Sequence, residues 1–166
     1  DKRLLLSDSN YGVFGIGDLV EIDACEVDVS LVDVYDYETV VARPILYCMI
    51  DVCTRMILAI SVAFENNSIL GVTNLFLNLS DDKVEYCKKF GIDLDPYIWR
   101  SNIIPRRIRF DRGAECTSNQ LERIMNKLGI ERELVTAGTG SLKGNIEQQF
   151  HQMHLAQNHL LENKGL

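Results

Sequence analysis

Three acidic residues occupy positions at which a carboxylate can hold a metal ion. Asp23 lies inside a run of apolar residues that predicts a strand, where an unpaired charge is costly unless it has a function. Asp111 ends a second predicted strand and precedes Arg112 and Gly113, a turn that would expose its carboxylate. Glu147 opens a predicted helix after a glycine-rich segment, and 35 residues separate it from Asp111. The sequence therefore predicts a cluster of three carboxylates.

Three carboxylates on rigid elements suit metal-dependent phosphoryl transfer. This chemistry uses two divalent ions roughly 3.5–4 Å apart, one activating the attacking oxygen and one stabilising the leaving oxygen. Mg²⁺ prefers oxygen ligands and keeps several waters, so three carboxylates are sufficient to hold it. One carboxylate must bridge both ions, and a position inside a central strand favours Asp23 for that role. The alternative, three unrelated surface acids, does not explain an aspartate inside a strand.

Other acids receive structural interpretations. Asp51 is predicted to cap a hairpin turn and to pair with Arg55 rather than to bind metal. Glu115 lies close enough to Asp111 in the sequence to act beside it, although a simple surface turn is the competing interpretation. The acids that follow the first strand are expected to be solvated, with a supporting role near the metal as the alternative for the first of them: Asp28, Asp33, Asp36 and Glu38.

The elements that must position the three acids alternate between strand and helix patterns. In chain order, the predicted elements are strands around 20–31, 45–50 and 56–64, helices at 69–79 and 81–90, a strand at 108–110, a helix at 117–128, a strand at 130–135 and a long helix from 146. Three strands in a meander followed by alternating helix and strand predict an α/β fold, a mixed sheet with helices packed on it.

The domain organisation is expected to be simple. Residues 1–17 are a lead-in, and residues 18–166 form one domain of a longer protein. A helical and loop insertion is predicted at about 81–105, where Trp99 fills a core position rather than stacking on a base.

The composition is that of a globular domain with unevenly distributed charge. Hydrophobic residues make up 46% and charged residues 25% of the 166 residues, and no apolar run is long enough to span a bilayer. The net charge is −7, but residues 1–51 carry −8 and residues 52–166 carry +1. The negative charge is thus concentrated around Asp23, where cations would bind. Most affinity for DNA is accordingly expected from other domains.

Cysteine and histidine usage adds no metal site. The five cysteines are odd in number and form no CxxC pair, which indicates reduced thiols of a cytoplasmic protein. The three histidines fall in one late segment without nearby cysteines, and their spacing does not match a zinc site.

Several motifs resemble those of a known family. They are Glu21-Ile-Asp-Ala-Cys25, then Arg43-Pro44 with Ile50-Asp51 and Arg55, then Phe110-Asp-Arg-Gly-Ala-Glu115, and finally Gly140-Ser-Leu-Lys-Gly-Asn-Ile-Glu147. Together they resemble the integrase core of the retroviral integrase superfamily, in particular its transposase branch that includes TnsB and Mu. The resemblance extends over roughly residues 18–160. Cys25 and Cys116 depart from the common pattern, which has threonine and an aromatic residue there, but neither is an expected metal ligand.

The resemblance implies a fold, an activity and partners. The fold would be RNase H-like, a five-stranded mixed sheet flanked by helices, with a catalytic triad of Asp23, Asp111 and Glu147. Two Mg²⁺ or Mn²⁺ ions would be held when DNA is bound. Water would cleave a strand at the transposon end, and the freed 3′-hydroxyl would then attack target DNA. The implied partners are end and target DNA, further copies of the protein in a synaptic complex, and an ATP-dependent regulator, in the bacterial cytoplasm and without a membrane.

Basic and polar residues near the predicted triad are candidates for DNA contacts. The glycine-rich segment contributes three, with an ordinary loop as the alternative: Thr139, Ser141 and Lys143. His151 and His154 follow Glu147 by four and seven residues and would share its helix face, unless they are a solvent-facing pair without a role. Five arginines within thirteen residues suit phosphate contacts or, equally, balance the acidic first segment: Arg100, Arg106, Arg107, Arg109 and Arg112.

Three functions therefore compete. The first is the catalytic core of a DNA transposase or integrase. The second is an RNase H-like metal-dependent nuclease that hydrolyses nucleic acid without strand transfer, and the motifs at Arg43-Pro44 and Asp111-Arg112-Gly113 argue against it. The third is a non-catalytic assembly module, and the intact set of three acids argues against that.

Overall fold

The computed structural model describes residues 12–65, 69–110, 119–134 and 151–152. The elements are β1 (Leu19–Glu26), β2 (Leu31–Val32), β3 (Val40–Ala42), β4 (Ile45–Asp51), β5 (Ile57–Ala63), α1 (Ile69–Ser80), α2 (Lys83–Lys88), β6 (Arg107–Phe110), α3 (Asn119–Leu128) and β7 (Glu131–Leu134). Residues 151 and 152 are also helical. No described helix is both long enough and apolar enough to cross a membrane.

Five of the described strands form one mixed sheet in the order β5-β4-β1-β6-β7. The antiparallel half is a meander, because β1 pairs with β4 and β4 pairs with β5. The parallel half consists of β1, β6 and β7. Helices α1 and α2 lie in the connection from β1 to β6, and α3 connects β6 to β7. The predicted α/β class and five-stranded mixed sheet are confirmed, and β1 is the central strand.

Alternate residues of β1 face opposite sides of the sheet, as strand geometry requires. The even-numbered residues Val20 and Ile22 join a buried apolar cluster with Ile108 and Phe110 of β6. Helices α1 and α3 cover this side, with Leu75 of α1 fully buried. The odd-numbered positions of β1, including Asp23, therefore lie on the other side of the sheet.

Close packing between α1 and the sheet depends on a glycine. A Cβ built at Gly71 would lie 2.6 Å from a ring carbon of Tyr47, and the Tyr47 side chain is almost completely buried. The Ser61 hydroxyl donates a hydrogen bond to the Gly71 carbonyl at 2.7 Å, which ties β5 to the same turn of α1. Any side chain at position 71 would push the helix away from β4.

Local signals explain where the helices begin and end. The Asp82 carboxylate accepts hydrogen bonds from the backbone N–H groups of Val84 and Glu85, so it caps α2. Gly129 follows α3 with φ of +68°, the left-handed conformation in which glycine commonly ends helices. The predicted short helix after Asp81 and the end of α3 are both confirmed.

The structure contains a small hairpin that the sequence did not predict. Strands β2 and β3 pair with each other as a separate two-stranded sheet between β1 and β4. Its turn is held by Asp36, whose carboxylate accepts hydrogen bonds from the backbone N–H groups of Glu38 and Thr39. The hairpin has short strands with exposed apolar residues such as Val40 and Val41, so it lacks the buried alternation that marks a strand in sequence.

The predicted insertion is anchored through Trp99. Its indole N–H donates to the carbonyl of Ile57 on β5 at 2.7 Å, and its ring lies against Tyr86 and beneath the Lys83 ammonium. These contacts attach the loop after α2 to the edge of the sheet. Trp99 therefore packs against the fold, but it is half-buried at the edge of the sheet and does not fill the core position that was expected.

Candidate active site

Asp23 lies in the middle of the central strand, on the side of the sheet away from α1 and α3. It is partly exposed, and its Oδ1 accepts a hydrogen bond from the backbone N–H of Ala24 at 2.9 Å. A carboxylate that is central in the sheet and still reachable by solvent fits a hard cation such as Mg²⁺.

The strand that leads to Asp111 runs directly beside Asp23. Strands β1 and β6 are parallel, and their last register pair joins Ile22 to Phe110. In the sequence, Asp23 follows Ile22 and Asp111 follows Phe110. Asp111 itself lies outside the described residues, as does Glu147.

A row of charged residues, two of them almost fully buried, spans three strands at the level of Glu21, two residues before Asp23; it is called the buried row below. Glu21, Arg109 and Glu133 are direct register partners on β1, β6 and β7. The Arg109 guanidinium donates from Nη1 to Glu21 Oε1 at 2.8 Å, and from Nη2 and Nε to Glu133 Oε1 at 2.7 and 3.1 Å. The side chains of Arg109 and Glu21 are only 6% and 5% exposed. One arginine thus joins the three parallel strands.

A second group of charges lies at the start of the same strands. Asp18 accepts hydrogen bonds from Arg107 Nη2 at 2.8 Å and from Arg106 Nη1 at 3.0 Å. The backbone N–H of Phe14 is its third donor, at 2.9 Å. The hydrogen bonds from Phe14 and Arg107 hold the pKa of the Asp18 carboxyl below its usual range. Arg107 also donates to Glu133 at 3.0 Å, which connects the two groups.

The arginines were expected either to contact phosphate or to balance the acidic first segment, and these ion pairs bear on that choice for three of them. Arg106, Arg107 and Arg109 are paired with acids of the first segment, which favours the charge-balance interpretation, most strongly for the buried Arg109. Arg100 instead stacks over the Tyr97 ring at 4.3 Å. Arg112 lies outside the described residues.

Burial perturbs the titratable groups around Asp23. It raises the pKa of the Glu21 carboxyl, although the hydrogen bond and charge of Arg109 oppose this effect. Burial, assisted by the charge of Asp23, raises the pKa of the Cys25 thiol to about 11. It also raises the pKa of Cys48, the register partner of Asp23 on β4. Both shifts favour the protonated form of these thiols at neutral pH.

Asp51 has the structural role that its sequence position predicted. Its Oδ2 accepts hydrogen bonds from the backbone N–H and the hydroxyl of Thr54, at 2.7 and 2.6 Å, which caps the β4–β5 turn. Its Oδ1 accepts from the backbone N–H of Gly17 at 2.8 Å, a contact that the sequence did not predict. Asp51 is completely buried, and its carboxylate is occupied by these donors.

The remaining site predictions divide between exposed and undescribed residues. His151 is helical and exposed, and Asp28 is an exposed acid whose carboxylate lies 3.7 Å from Arg43. Within the described residues, no group of three or more histidine, cysteine, aspartate and glutamate side chains is arranged to hold a metal ion. The predicted positions outside the described residues are Asp111, Arg112, Glu115, Thr139, Ser141, Lys143, Glu147 and His154.

The buried row was missed by sequence reasoning although a signal was present. Charged residues alternate with apolar ones in β1 and β6, with acids on β1 and arginines on β6, and β7 carries acids at the alternate positions Glu131 and Glu133. Period-two alternation places those charges on one side of the sheet. Opposite signs on adjacent strands at matching positions would have predicted cross-strand ion pairs.

Comparison with solved structures defines the class of fold. The catalytic core of HTLV-2 integrase, solved in complex with magnesium, matches with a TM-score of 0.58 and 12% identity, over 91% of this chain and 77% of that one. A chain of the simian T-cell lymphotropic virus intasome, solved in complex with the PP2A regulatory subunit B56 gamma, matches with a TM-score of 0.61 and 9% identity, over 89% of this chain and 42% of that one. The BIV integrase core gives 0.52 and 13%, over 86% and 72%. The expected RNase H-like fold of an integrase core is confirmed.

The family follows from the sequence. The model of the TnsB C-terminal domain matches residues 21–163, and the chain belongs to that family. It is 33% identical over 150 residues to the Tn7 transposition protein TnsB of Escherichia coli, covering 90% of this chain and 21% of that protein. The chain thus spans about a fifth of the length of this relative. It is a domain related to those of transposases and integrases.

Proposed function

We propose that this domain is the catalytic core of a DNA transposase in which Asp23, Asp111 and Glu147 hold two Mg²⁺ or Mn²⁺ ions. The observation that carries the proposal is the parallel register of β1 and β6, in which Ile22 pairs with Phe110 just before Asp23 and Asp111. Membership of the TnsB C-terminal domain family and the fold shared with a magnesium-bound integrase core support it.

The proposed chemistry assigns different tasks to metal and protein. The ions would supply activation of the attacking oxygen and stabilisation of the leaving oxygen. Asp23, in the middle of the central strand, would be the carboxylate shared by both ions. The rigid sheet would hold its carboxylate in place, and carboxylate oxygens are ligands that suit Mg²⁺ or Mn²⁺. The same arrangement would serve strand cleavage by water and then attack by the 3′-hydroxyl.

The proposed partners follow from the relatives. One structural relative was solved as an intasome, and the HTLV-2 integrase core was solved in a dimeric form. We infer that this domain acts on transposon ends and target DNA in a synaptic complex of several copies, in the cytoplasm, with an ATP-dependent regulator. His151, helical and exposed four residues after Glu147, is the described candidate for contact with DNA. The further candidates are Arg112, Thr139, Ser141, Lys143 and His154.

Amide substitutions in the full-length protein test the triad. Asp23→Asn, Asp111→Asn and Glu147→Gln preserve shape but remove the charge that holds Mg²⁺. Each should reduce both end cleavage and strand transfer of pre-cut ends to background, while binding of transposon ends stays within about twofold, because DNA affinity depends mainly on phosphate contacts elsewhere. The measurements are a gel assay of both reactions and a binding titration.

Asp51→Asn is the matched control, because Asp51 is also a strand carboxylate and ends β4, the strand beside β1. Its loss should lower the free energy of unfolding by about 1–3 kcal/mol, since buried hydrogen bonds are disturbed, and leave both reactions intact at a permissive temperature. Activity in Asp23→Asn would contradict the proposed function. Cleavage by the wild type without strand transfer of pre-cut ends would identify a nuclease, and end binding without either reaction an assembly module.

A further inference from the structure

The burial of the charged row of Glu21, Arg109 and Glu133 is not well explained by a contribution to stability alone. Glu21 and Arg109 are each almost fully buried, and Glu21 Oε2 has no hydrogen-bond partner among the described residues. Taking charges out of water is costly, and buried ion pairs can often be replaced by apolar residues without loss of stability. Such a row is therefore better explained by what it positions than by what it stabilises.

The row lies next to Asp23, on the same side of the sheet. Glu21 precedes Asp23 by two residues of β1, so the two carboxylates share a strand face, and Arg109 precedes Asp111 by two residues in the sequence. The three hydrogen bonds from the one Arg109 guanidinium, 2.7–3.1 Å long, connect β1, β6 and β7 at this level. They therefore fix the separation of the two strands immediately before Asp23 and Asp111.

We propose that Arg109, held between Glu21 and Glu133, is a positioning residue that sets the distance and orientation of Asp23 relative to Asp111. This inference rests on the proposed function of the triad. Mg²⁺ demands nearly ideal octahedral geometry and therefore requires accurately placed carboxylates. The planar guanidinium suits the task, because its fixed fork can donate to two carboxylates at once, whereas a lysine ammonium is a flexible point charge.

The chain offers a matched control on the same strand. Arg107 is also on β6, on the same face, and also pairs with an acid of the β1 segment and with Glu133, at 2.8 and 3.0 Å. In the sequence, Arg107 lies two residues further from Asp111 than Arg109 does. Arg109→Lys and Arg107→Lys are thus the same chemical change in two similar ion-pair environments, at different distances from the proposed site.

The first experiment compares strand transfer by the two lysine variants in the full-length protein with saturating Mg²⁺ or Mn²⁺. Arg109→Lys should lower the Mg²⁺-supported rate by about ten- to a hundredfold, the usual effect of disturbing the groups that orient metal ligands. The loss with Mn²⁺ should be several-fold smaller, because Mn²⁺ tolerates less regular coordination. Arg107→Lys should change both rates equally and by less than about threefold, since it does not adjoin the ligands.

The second experiment is independent of activity and uses Mn²⁺ alone as the probe. Binding of Mn²⁺ to the full-length protein is titrated by electron paramagnetic resonance, without DNA and with DNA ends present. Arg109→Lys should weaken the DNA-dependent Mn²⁺ binding by at least about tenfold and Arg107→Lys should not. If Arg109→Lys fails to fold, the neutral pair Glu21→Gln with Arg109→Gln replaces it, with the same expected ratio of Mg²⁺ to Mn²⁺ activity.

The outcomes separate this inference from the proposed function. Equal Mg²⁺ to Mn²⁺ ratios and equal Mn²⁺ affinities in the Arg109 and Arg107 variants, with Asp23→Asn inactive, would overturn the positioning role and leave the triad intact. Activity in Asp23→Asn would overturn both. A selective loss of Mg²⁺ activity in the Arg109 variant, accompanied by weaker Mn²⁺ binding, would establish the positioning role.

Discussion

The side of the sheet beneath α1 and α3 is lined by apolar residues, whereas the opposite side carries buried charges on its three parallel strands. On the first side, Val20, Ile22 and Ile108 are buried among other hydrocarbon side chains. On the second, Glu21 and Arg109 occupy the intervening positions of the same strands. Adjacent residues of one strand thus meet entirely different surroundings.

The difference shows how a short strand can serve folding and chemistry at once. Burial of hydrocarbon surface stabilises the domain without requiring specific directions of contact. Ion pairs contribute little net stability when buried but depend strictly on geometry. A site that needs carboxylates at fixed positions benefits from the second kind of contact, and the first kind provides the free energy that holds it together.

The largest stability effect is expected from breaking the buried pair on one side only. Arg109→Met leaves Glu21 buried without its cation and should lower the free energy of unfolding by about 3–5 kcal/mol. Replacing both partners, by Glu21→Leu with Arg109→Met, should recover most of that loss, because no uncompensated charge remains. Urea unfolding of the three proteins measures both effects. A double variant as unstable as Arg109→Met would show that the pair contributes net stability, as the apolar side does.

A smaller effect is expected from Gly71→Ala on the apolar side. Alanine normally stabilises a helix relative to glycine by about 1 kcal/mol. Here the added Cβ would overlap the ring of Tyr47, so we expect a net loss of about 1–3 kcal/mol from overpacking. Gly15→Ala is the control, since no atom outside its immediate neighbours lies within 4 Å of a Cβ there. Thermal unfolding that shows Gly71→Ala to be stabilising would mean that α1 can shift freely on the sheet.

The smallest effect concerns the acid dependence of stability. Because the pKa of Asp18 is lower in the folded protein than its ordinary value, its ionised form stabilises the fold. That contribution is complete above the ordinary pKa of about 4 and is lost as the pH falls through the lower, folded value. The difference in melting temperature between the wild type and Asp18→Asn should therefore be largest near pH 6 and shrink below pH of about 4. A difference that grows on acidification would contradict this assignment.

The sequence predicted the parts of the fold that depend on apolar pattern. The runs that became β4 and β5 and the helical spacing in α1 were recognised because burial imposes those periods. The β2–β3 hairpin was missed because its apolar residues are exposed and its turn is held by local hydrogen bonds of Asp36. Sequence alone could place Asp23 inside a strand, but only the register of β1 with β6 shows that this strand adjoins the one leading to Asp111.

The charged row illustrates a different limit. Single charges such as Glu21 and Arg109 look like solvent-facing residues of strands, because their burial depends on neighbours that are distant in sequence. Their pairing requires knowledge of which strands are adjacent and in which register. The structural role of Asp51 in its turn was easier to predict, because the Thr54 partner is only three residues away.

The attachment of Trp99 also affects how the domain behaves at high concentration. Strand β5 is at one edge of the five-stranded sheet, and an open edge offers unpaired backbone groups to other chains. The Ile57 carbonyl at the beginning of this strand already accepts the indole hydrogen bond, and the loop that carries Trp99 is attached there. The segment that carries Trp99 thereby covers this point of the edge, where it would obstruct the addition of a foreign strand.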